Sequence, residues 1–171
     1  MKKLFVFCLG GSAPGANVEV HDIQFAVAER PEDAWPRLAE RWFGTRESLH
    51  IDGWGVLEQA DGYGITLSDQ PPAGEMKLWF VNLGAYADGN LGEEHANVFL
   101  VARTAEEAKA RAKAEFLQGL YKRHRDNLRE ITADADGCLL LDQVGPSYVH
   151  LVPGGGTGEA FRACWQGYQP I

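Results

Sequence analysis

A glutamate and a histidine separated by one residue occur twice in this chain, as Glu19-x-His21 and as Glu93-x-His95. On a β-strand, residues two apart project from the same face, so each pair places a carboxylate beside an imidazole. These groups bind transition metals and transfer protons. If the two pairs converge, they form a candidate site for a divalent transition metal, in which Asp22 would orient a ligand.

A structural role for the same histidines is the alternative. His21 shares its predicted strand face with Ile23 and Phe25, which places the imidazole at the rim of a hydrophobic core. Buried polar groups need hydrogen-bond partners, and the backbone of the neighbouring glycine-rich segment is the nearest source of them. The histidines would then hold those segments in shape, and replacing either histidine would destabilise the protein.

Glycine-rich segments at residues 10–16 and 84–89 precede the two motifs and are predicted to be loops. A phosphate-binding loop requires a helix N-terminus directly after it, and here a strand is predicted to follow. The sequence Gly-Lys-Ser/Thr is also missing from both segments. They are therefore predicted to be turns or ligand-contacting loops, with Gly10, Gly11 and Gly84 as candidate contacts.

A few further side chains are candidates for chemistry. Trp54 stands between two glycines, where a large indole could line a pocket. His50, His124 and His150 occur singly, so they are expected at surface or strand positions without partners. Cys8 lies in an apolar segment and is expected to be buried and unreactive, because a reactive thiol needs an open, electropositive site.

The two Glu-x-His motifs belong to a longer internal duplication, which is the main sequence signal for the fold. A shift of seventy-four positions, without gaps, matches Lys3 with Lys77, Leu4 with Leu78, Leu9 with Leu83, Gly10 with Gly84, Glu19 with Glu93, His21 with His95, and Phe25 with Phe99. From Asp52-Gly53 onward the offset becomes eighty-four. The ten additional residues fall between about Gln118 and Ala135.

Hydrophobic periodicity and turn residues assign the same elements to each half. In the first half these are strands at 3–9, 17–28, 49–60 and 63–67, a helix at about 31–43, and a hairpin turn at Asp61-Gly62. In the second half, Thr104 and Glu107 form a capping box that begins the helix. The predicted fold class is α+β: two tandem β-β-α-β-β repeats packed as one pseudo-twofold body, with helices against antiparallel or mixed sheet.

Four segments are expected along the chain. They are a first repeat at 1–70, a linker at 71–76, a second repeat at 77–153, and a glycine-rich link with an aromatic tail at 154–171. In the tail, Phe161, Trp165 and Tyr168 fall at helical spacing. We expect the tail to dock on the body, since three exposed aromatic side chains would form an adhesive patch. Duplication suggests a fused ancestral dimer, so a monomer or a homodimer is expected.

Charge and composition exclude several classes of partner. The net charge is −8 and the pI is near 5.1, so nucleic acid is not an expected partner, because that affinity depends on clustered Lys and Arg. No segment has the length of a membrane span, and the apolar run that ends at Gly10 is too short for a signal peptide. Three cysteines without metal-ligand spacing indicate a reducing compartment. A cytoplasmic location is expected.

The motifs of the first half resemble the bacterial DUF1543 family, a family of domains of unknown function. They are Leu9-Gly10-Gly11, Glu19-x-His21-Asp22, Phe25-x-Val27 and Trp42-Phe43-Gly44, and the second half repeats them as Asn82-Leu83-Gly84, Glu93-x-His95 and Phe99-x-Val101. The resemblance covers residues 3–152 and implies a fold but no activity. Ala96 replaces Asp22 in the second half, so chemistry that requires this aspartate can occur only once per chain.

Two functions from different classes remain. The first is a cytoplasmic, non-catalytic binding or accessory module without a cofactor, which holds an unidentified small molecule or protein near the glycine-rich segments. The second is a metal-assisted hydrolase that uses a divalent transition metal bound by Glu19, His21, Glu93 and His95. The candidate ligand contacts are Gly10, Gly11, Glu19, His21, Asp22, Trp54, Gly84, Glu93 and His95.

Overall fold

The computed structural model describes residues 1–85, 91–123 and 133–171, including all of their side chains except those of 116–123 and 133–136. The strands are β1 (Lys3–Gly11), β2 (Val20–Ala28), β3 (His50–Val56), β4 (Gln59–Ala60), β5 (Tyr63–Ser68), β6 (Lys77–Ala85), β7 (Glu94–Ala102), β8 (Ala133–Leu140), β9 (Gln143–Val144), β10 (Ser147–Pro153) and β11 (Trp165–Pro170). The helices are α1 (Trp35–Arg41) and α2 (Ala105–Arg123).

The described strands form three sheets. The first sheet has the order β11-β3-β1-β2, the second sheet has the order β7-β6-β8, and a hairpin sheet has the order β4-β5-β10-β9. Every ladder within them is antiparallel. The α+β class is therefore confirmed, with antiparallel pairing throughout the part of the chain that the structure describes.

Strand β1 is covered on both faces, as its continuous apolar sequence predicts. On one face, Phe5, Phe7 and Leu9 are buried together with Leu38 of α1. The opposite face contributes to a different core, which contains Leu4, Val6, Phe25, Leu78 and Val101 and so includes strands of the first and second sheets. Because both faces are buried, β1 is the strand around which the first half is packed.

Strand β1 extends further than the sequence suggests. Gly10 and Gly11 were expected in a loop, but both belong to β1 and pair with His21 and Val20 of β2. Gly84 likewise lies inside β6, where it pairs with His95. The backbone ladder therefore continues through these glycines, and their missing side chains leave space above the strand. Residues 86–90 of the second predicted loop lie outside the described residues.

The segment predicted as one strand at 49–60 is divided into β3 and β4. Between them, buried Leu57 donates its backbone N–H to Leu4 O at 2.8 Å, and the chain passes from the first sheet to the hairpin sheet. The turn at Asp61 and Gly62 has φ values of 53° and 79°, as expected for the predicted two-residue hairpin. The helix predicted at 31–43 consists of a 3₁₀ turn at Pro31–Ala34 followed by α1.

The two halves join through the hairpin sheet, where β5 pairs with β10 along six residue pairs. Helix α2 has 19 residues and α1 has 7, so part of the predicted ten-residue insertion lengthens the second helix. Residues 124–132 of that insertion lie outside the described part of the chain, and so does His124. Within the described residues, no helix is both long and apolar enough to cross a membrane.

The C-terminal tail docks on the body, but it forms a strand and not the helix that its aromatic spacing suggested. Strand β11 pairs with β3, with an irregularity between Gln166 and Gln169. A Cβ at Gly55 would lie 2.6 Å from the Phe161 ring, so this glycine makes room for the tail. The free edge of β3 offers unpaired backbone groups, and pairing them outweighs the weak helical pattern.

An ion pair fastens the β4–β5 turn of the first half to the second half. Arg111 of α2 donates from both terminal nitrogens to Asp61, each at 2.8 Å, and the backbone N–H of Val101 donates to the same carboxylate at 3.0 Å. Burial alone would raise the pKa of Asp61. The hydrogen bonds from Arg111 and Val101 outweigh burial, and the pKa lies below its usual range.

We predict that Asp61→Asn lowers the free energy of unfolding at neutral pH by about 1–3 kcal/mol, because charge-assisted hydrogen bonds are lost. A depressed carboxyl pKa stabilises the fold above the unfolded-state pKa, and this stabilisation disappears as pH falls through the folded-state pKa. The difference between variant and parent should therefore shrink towards pH 3, measured by urea titration. Asparagine also tolerates the positive φ at this position.

The control for this experiment is Asp69→Asn, which removes one charge from an exposed side chain. Its effect should stay within about 0.5 kcal/mol. An Asp61→Asn protein as stable as the parent at neutral pH would contradict the assigned role of the ion pair.

Candidate functional site

Two histidines meet above Gly10, where the central strand of the first sheet carries no side chain. Gly10 pairs with His21 of β2 on one side and with His50 of β3 on the other. A Cβ at Gly10 would lie 2.6 Å from His50 Nε2 and 2.8 Å from Asp52 Oδ2. Glycine at this position therefore allows side chains from both neighbouring strands to converge over β1.

A β-bulge contributes the second carboxylate. The register of β3 against β1 shifts between Leu9 and Cys8, so that Asp52 is the extra residue between Ile51 and Gly53. Bulges redirect side chains and often lie beside functional sites. Here the Asp52 carboxylate comes within ion-pair distance of both histidines.

We call Glu19, His21, His50 and Asp52 the carboxylate–imidazole cluster. Glu19 Oε1 lies 2.9 Å from His50 Nε2, and Glu19 Oε2 lies 3.6 Å from His21 Nε2. Asp52 Oδ1 lies 3.2 Å from His50 Nε2, and Asp52 Oδ2 lies 3.3 Å from His21 Nε2. Each carboxylate therefore spans both imidazoles, with one oxygen directed at each ring.

The backbone fixes the protonation of one His50 nitrogen. His50 Nδ1 lies 2.9 Å from the carbonyl oxygen of Ser48, and a carbonyl only accepts, so Nδ1 carries a hydrogen. The opposite nitrogen, Nε2, faces two carboxylates. Carboxylate oxygens only accept hydrogen bonds, so this position favours a positively charged partner. His50 was expected to lack partners, and this expectation was wrong.

The cluster has a closed side and an open side. The His50 side chain is 5% exposed, and the Tyr168 ring from the tail lies over it, with ring centroids 4.4 Å apart. Exposure of the other side chains is 32% for Asp52, 46% for Glu19 and 52% for His21. A ligand from solvent would therefore meet Glu19 and His21 first.

The second Glu-x-His motif lies in a different sheet. His95 is on β7, and its Nε2 lies 3.6 Å from Glu93 Oε2. Gly84 of β6 pairs with His95 on one side and with Asp134 of β8 on the other. The metal site proposed from the sequence needs this pair to meet Glu19 and His21, which lie at β2. Among the residues that the structure describes, no group of three or more His, Cys, Asp or Glu side chains is arranged to hold a metal ion.

The remaining candidate residues lie away from the cluster. Asp22 falls on the opposite face of β2 from His21, and it accepts a hydrogen bond from Gln24 Nε2 at 3.1 Å. A Cβ at Gly11 would lie 2.8 Å from the Trp42 ring, so this glycine packs under α1. Trp54 contacts the Phe5 ring edge-on at a centroid distance of 5.8 Å. The structure thus separates the predicted contacts into several locations.

Cys8 lies on the same face of β1 as Gly10. Burial, together with the negative charges of Asp52 and Asp22, raises the pKa of the Cys8 thiol above its usual range. The thiol therefore stays protonated at neutral pH, as the prediction of an unreactive cysteine requires.

Sequence reasoning missed His50 and Asp52 as members of the site. Asp52-Gly53 recurs as Asp136-Gly137 in the duplication, and this repeat was a usable signal for Asp52. His50 has no such signal, because Asp134 occupies its register position in the second half. His150, the other single histidine described, has a backbone partner, since its Nε2 lies 2.7 Å from Gln70 O.

A larger cavity of about 550 Å³ lies near the opposite end of β1, between residues 1–4 and residues 65–69. None of the predicted site residues lines it. The cavity lacks the predicted residues, whereas the carboxylate–imidazole cluster brings together four side chains that can bind a ligand or transfer protons. We therefore take the cluster as the candidate site.

A family model described as a Domain of Unknown Function (DUF1543) matches two regions of the chain, residues 16–67 and 90–137. The chain belongs to the DUF1543 family. The first match contains all four residues of the carboxylate–imidazole cluster, and the second contains Glu93 and His95. Two copies of the family domain are thus present, in agreement with the duplication seen in the sequence.

One solved structure gives a full-length comparison for this DUF1543 protein. The crystal structure of protein Il1583 from Idiomarina loihiensis has 36% sequence identity and a TM-score of 0.76, covering 99% of this chain and 98% of that one. No curated protein matches this chain. The similarity supports the fold and assigns no activity.

We predict that Gly10→Ala destabilises the protein by about 1–3 kcal/mol, because the new methyl group would overlap His50 and Asp52. The same substitution should shift the NMR signals of His50 and His21. Gly137→Ala on β8 is the matched control, since the nearest atom to its Cβ lies 4.0 Å away. Unchanged histidine signals and urea midpoint in Gly10→Ala would show that the cluster does not depend on this glycine.

Proposed function

We propose that this protein is a non-catalytic binding module that holds a positively charged ligand at the carboxylate–imidazole cluster. One observation carries the proposal. His50 Nδ1 is committed to the Ser48 carbonyl at 2.9 Å, so its Nε2 and two carboxylates face one another and need a positive charge between them.

The charge balance of the cluster supports a cationic ligand. Two carboxylates, Glu19 and Asp52, face two imidazoles, and the ion pairs of these carboxylates among the described residues involve histidine only. Glu19, at the open side of the cluster, has a side chain that is 46% exposed, and the chain has a net charge of −8. The electrostatic potential there therefore favours an approaching cation over an anion.

An organic amine and a divalent metal share the chemistry that this site offers. An amine would donate hydrogen bonds to Glu19 and Asp52 at the open side. A metal ion would be held by His50 Nε2 and the two carboxylates, and this would require the side chains to rearrange, since the described residues contain no group arranged to hold a metal. A backbone carbonyl on the far imidazole nitrogen is the arrangement that orients metal-binding histidines.

The test is NMR titration of the histidine ring signals with agmatine in one series and with Zn²⁺ in another. We expect one cation class to shift the signals of His21 and His50 saturably, while acetate and phosphate leave them unchanged. The double variant Glu19→Gln, Asp52→Asn should weaken binding at least about tenfold, which corresponds to about 1.4 kcal/mol.

Glu93→Gln is the matched control, because it changes the equivalent motif in the second sheet. In this variant, the His21 and His50 signals should respond to each cation as they do in the parent protein. Anion binding, or cation binding that survives the double variant, would overturn the proposal.

A metal-assisted hydrolase remains the second candidate, and it rests on the same His50 arrangement. Exposed Glu19 and His21 would leave an open position for water on a bound metal. Elemental analysis and thermal melts before and after EDTA test it. About one equivalent of metal with stability lost to EDTA would establish a metal site, and turnover in a screen of hydrolase substrates would then separate hydrolysis from simple metal binding. Melts that EDTA leaves unchanged would remove this candidate.

We further propose that the two halves are β-β-α-β-β duplicates packed about a pseudo-twofold axis. Support comes from reciprocal pairing in the hairpin sheet. Leu67 of β5 pairs with Val149 of β10. With the offset of eighty-four, Ile65 corresponds to Val149 and Leu67 corresponds to Leu151. Ile65 and Leu151 also pair with each other. Reciprocal contacts of this kind are typical of a twofold interface.

Cellular location and assembly follow as part of the proposal. Free Cys8, Cys138 and Cys164 suit a reducing compartment, so we place the protein in the cytoplasm. A chain that contains both halves of an ancestral dimer needs no partner copy, and light scattering should report a monomer.

A further inference from the structure

A small pocket lined by tryptophan lies at the edge of the first sheet. It has a volume of about 180 Å³ and is lined by Pro31, Glu32, Trp35, Ile51, Trp54, Trp165 and Gln169. We call it the tryptophan pocket. It lies on the other face of the sheet from the carboxylate–imidazole cluster, because Trp54 pairs with Phe7 whereas His50 pairs with Gly10.

Three separate elements bring the indoles to this pocket. Trp35 is the first residue of α1, Trp54 lies on β3, and Trp165 lies on β11 directly opposite Trp54. Residues directly opposite in an antiparallel ladder project from the same face. All three indoles are half-buried, so each has ring surface left to contact a ligand.

The lining combines aromatic surface with a single negative charge. Ile51 is 1% exposed and forms an apolar floor, while the Glu32 carboxylate is the only charged group of the lining. The ring face of tryptophan attracts cations more strongly than the ring faces of tyrosine and phenylalanine do. The pocket is therefore complementary to a positive charge carried on an apolar surface.

We propose that the tryptophan pocket binds a quaternary or methylated ammonium group. A primary ammonium is strongly hydrated and would lose that hydration among indoles, whose N–H groups donate hydrogen bonds and cannot accept them. Methyl groups weaken hydration and spread the charge over a surface that fits aromatic rings. The volume also suits a compact headgroup, since pockets for drug-sized ligands measure about 300–1,000 Å³.

The sequence marks Trp54 as a candidate pocket residue because it stands between two glycines. The structure explains why glycine is needed at both positions. A Cβ at Gly55 would meet Phe161, and one at Gly53 would lie 3.1 Å from the carbonyl oxygen of Trp165. Both glycines let the tail lie against β3. The tail then places Trp165 beside Trp54 and completes the pocket.

The test uses tryptophan fluorescence, with choline and its neutral carbon analogue 3,3-dimethylbutan-1-ol as probes. The chain contains 5 tryptophans, three of which line the pocket, while Trp42 and Trp79 are buried in the two half-cores. We expect choline to change the emission saturably and the neutral alcohol to bind at least about tenfold more weakly, as expected when the positive charge contributes about 1.4 kcal/mol.

Variants locate the binding. Glu32→Gln should weaken choline binding several-fold, whereas Glu40→Gln, an exposed control on α1, should leave it unchanged. Trp165→Leu should abolish the saturable change, and its melting curve shows whether the tail still docks. If Trp165→Leu does not fold, the proposal is tested by comparing the choline affinities of Glu32→Gln and Glu40→Gln.

Three results would overturn the proposal: no saturable response to choline, equal affinity for choline and the neutral alcohol, or unchanged binding in Glu32→Gln. The double variant Glu19→Gln, Asp52→Asn should keep its choline response. The proposal for the tryptophan pocket and the proposal for the cation site at the cluster are therefore tested independently of each other.

Discussion

The burial of β1 on both faces is the constraint on which the rest of this structure depends. Helix α1 covers one face of β1, and the second sheet covers the other. Neither half therefore has a complete core unless the two halves pack together. A strand in this position cannot carry polar side chains along its length. Glycine at its end allows a polar site, because Gly10 adds no apolar surface and leaves room for side chains from β2 and β3.

In addition to the shared core, backbone pairing and the Asp61–Arg111 ion pair hold the two halves together in the part of the chain that the structure describes. The β5–β10 ladder makes the hairpin sheet continuous across both halves. Asp61, in the left-handed turn conformation, then binds Arg111 and the Val101 N–H. A ladder fixes the register, whereas the bidentate ion pair fixes the direction in which the hairpin points. Together they set how the second sheet lies against the face of β1 that carries Leu4 and Val6.

Local patterns in the sequence predicted the strands, the Asp61-Gly62 turn and the duplication, because each depends on residues close together in the chain. The cluster could not be predicted in the same way. His50 reaches Glu19 only because β3 pairs with β1 in one register and a bulge adds Asp52. The docking of the tail was expected from its aromatic residues, but its strand structure was not, since aromatic spacing at 161, 165 and 168 carries no information about the free edge of β3.

The cluster is also a place where the fold accepts an unfavourable arrangement. Two carboxylates lie against an imidazole that is almost fully buried, and Tyr168 covers it further. Partly buried charges of this kind contribute little net stability, and often less than apolar residues of the same size. Local departures from the most stable sequence are characteristic of functional sites. A positive ligand would compensate the charge of the two carboxylates, so the energetics of the cluster and its proposed role as a cation site have the same physical origin.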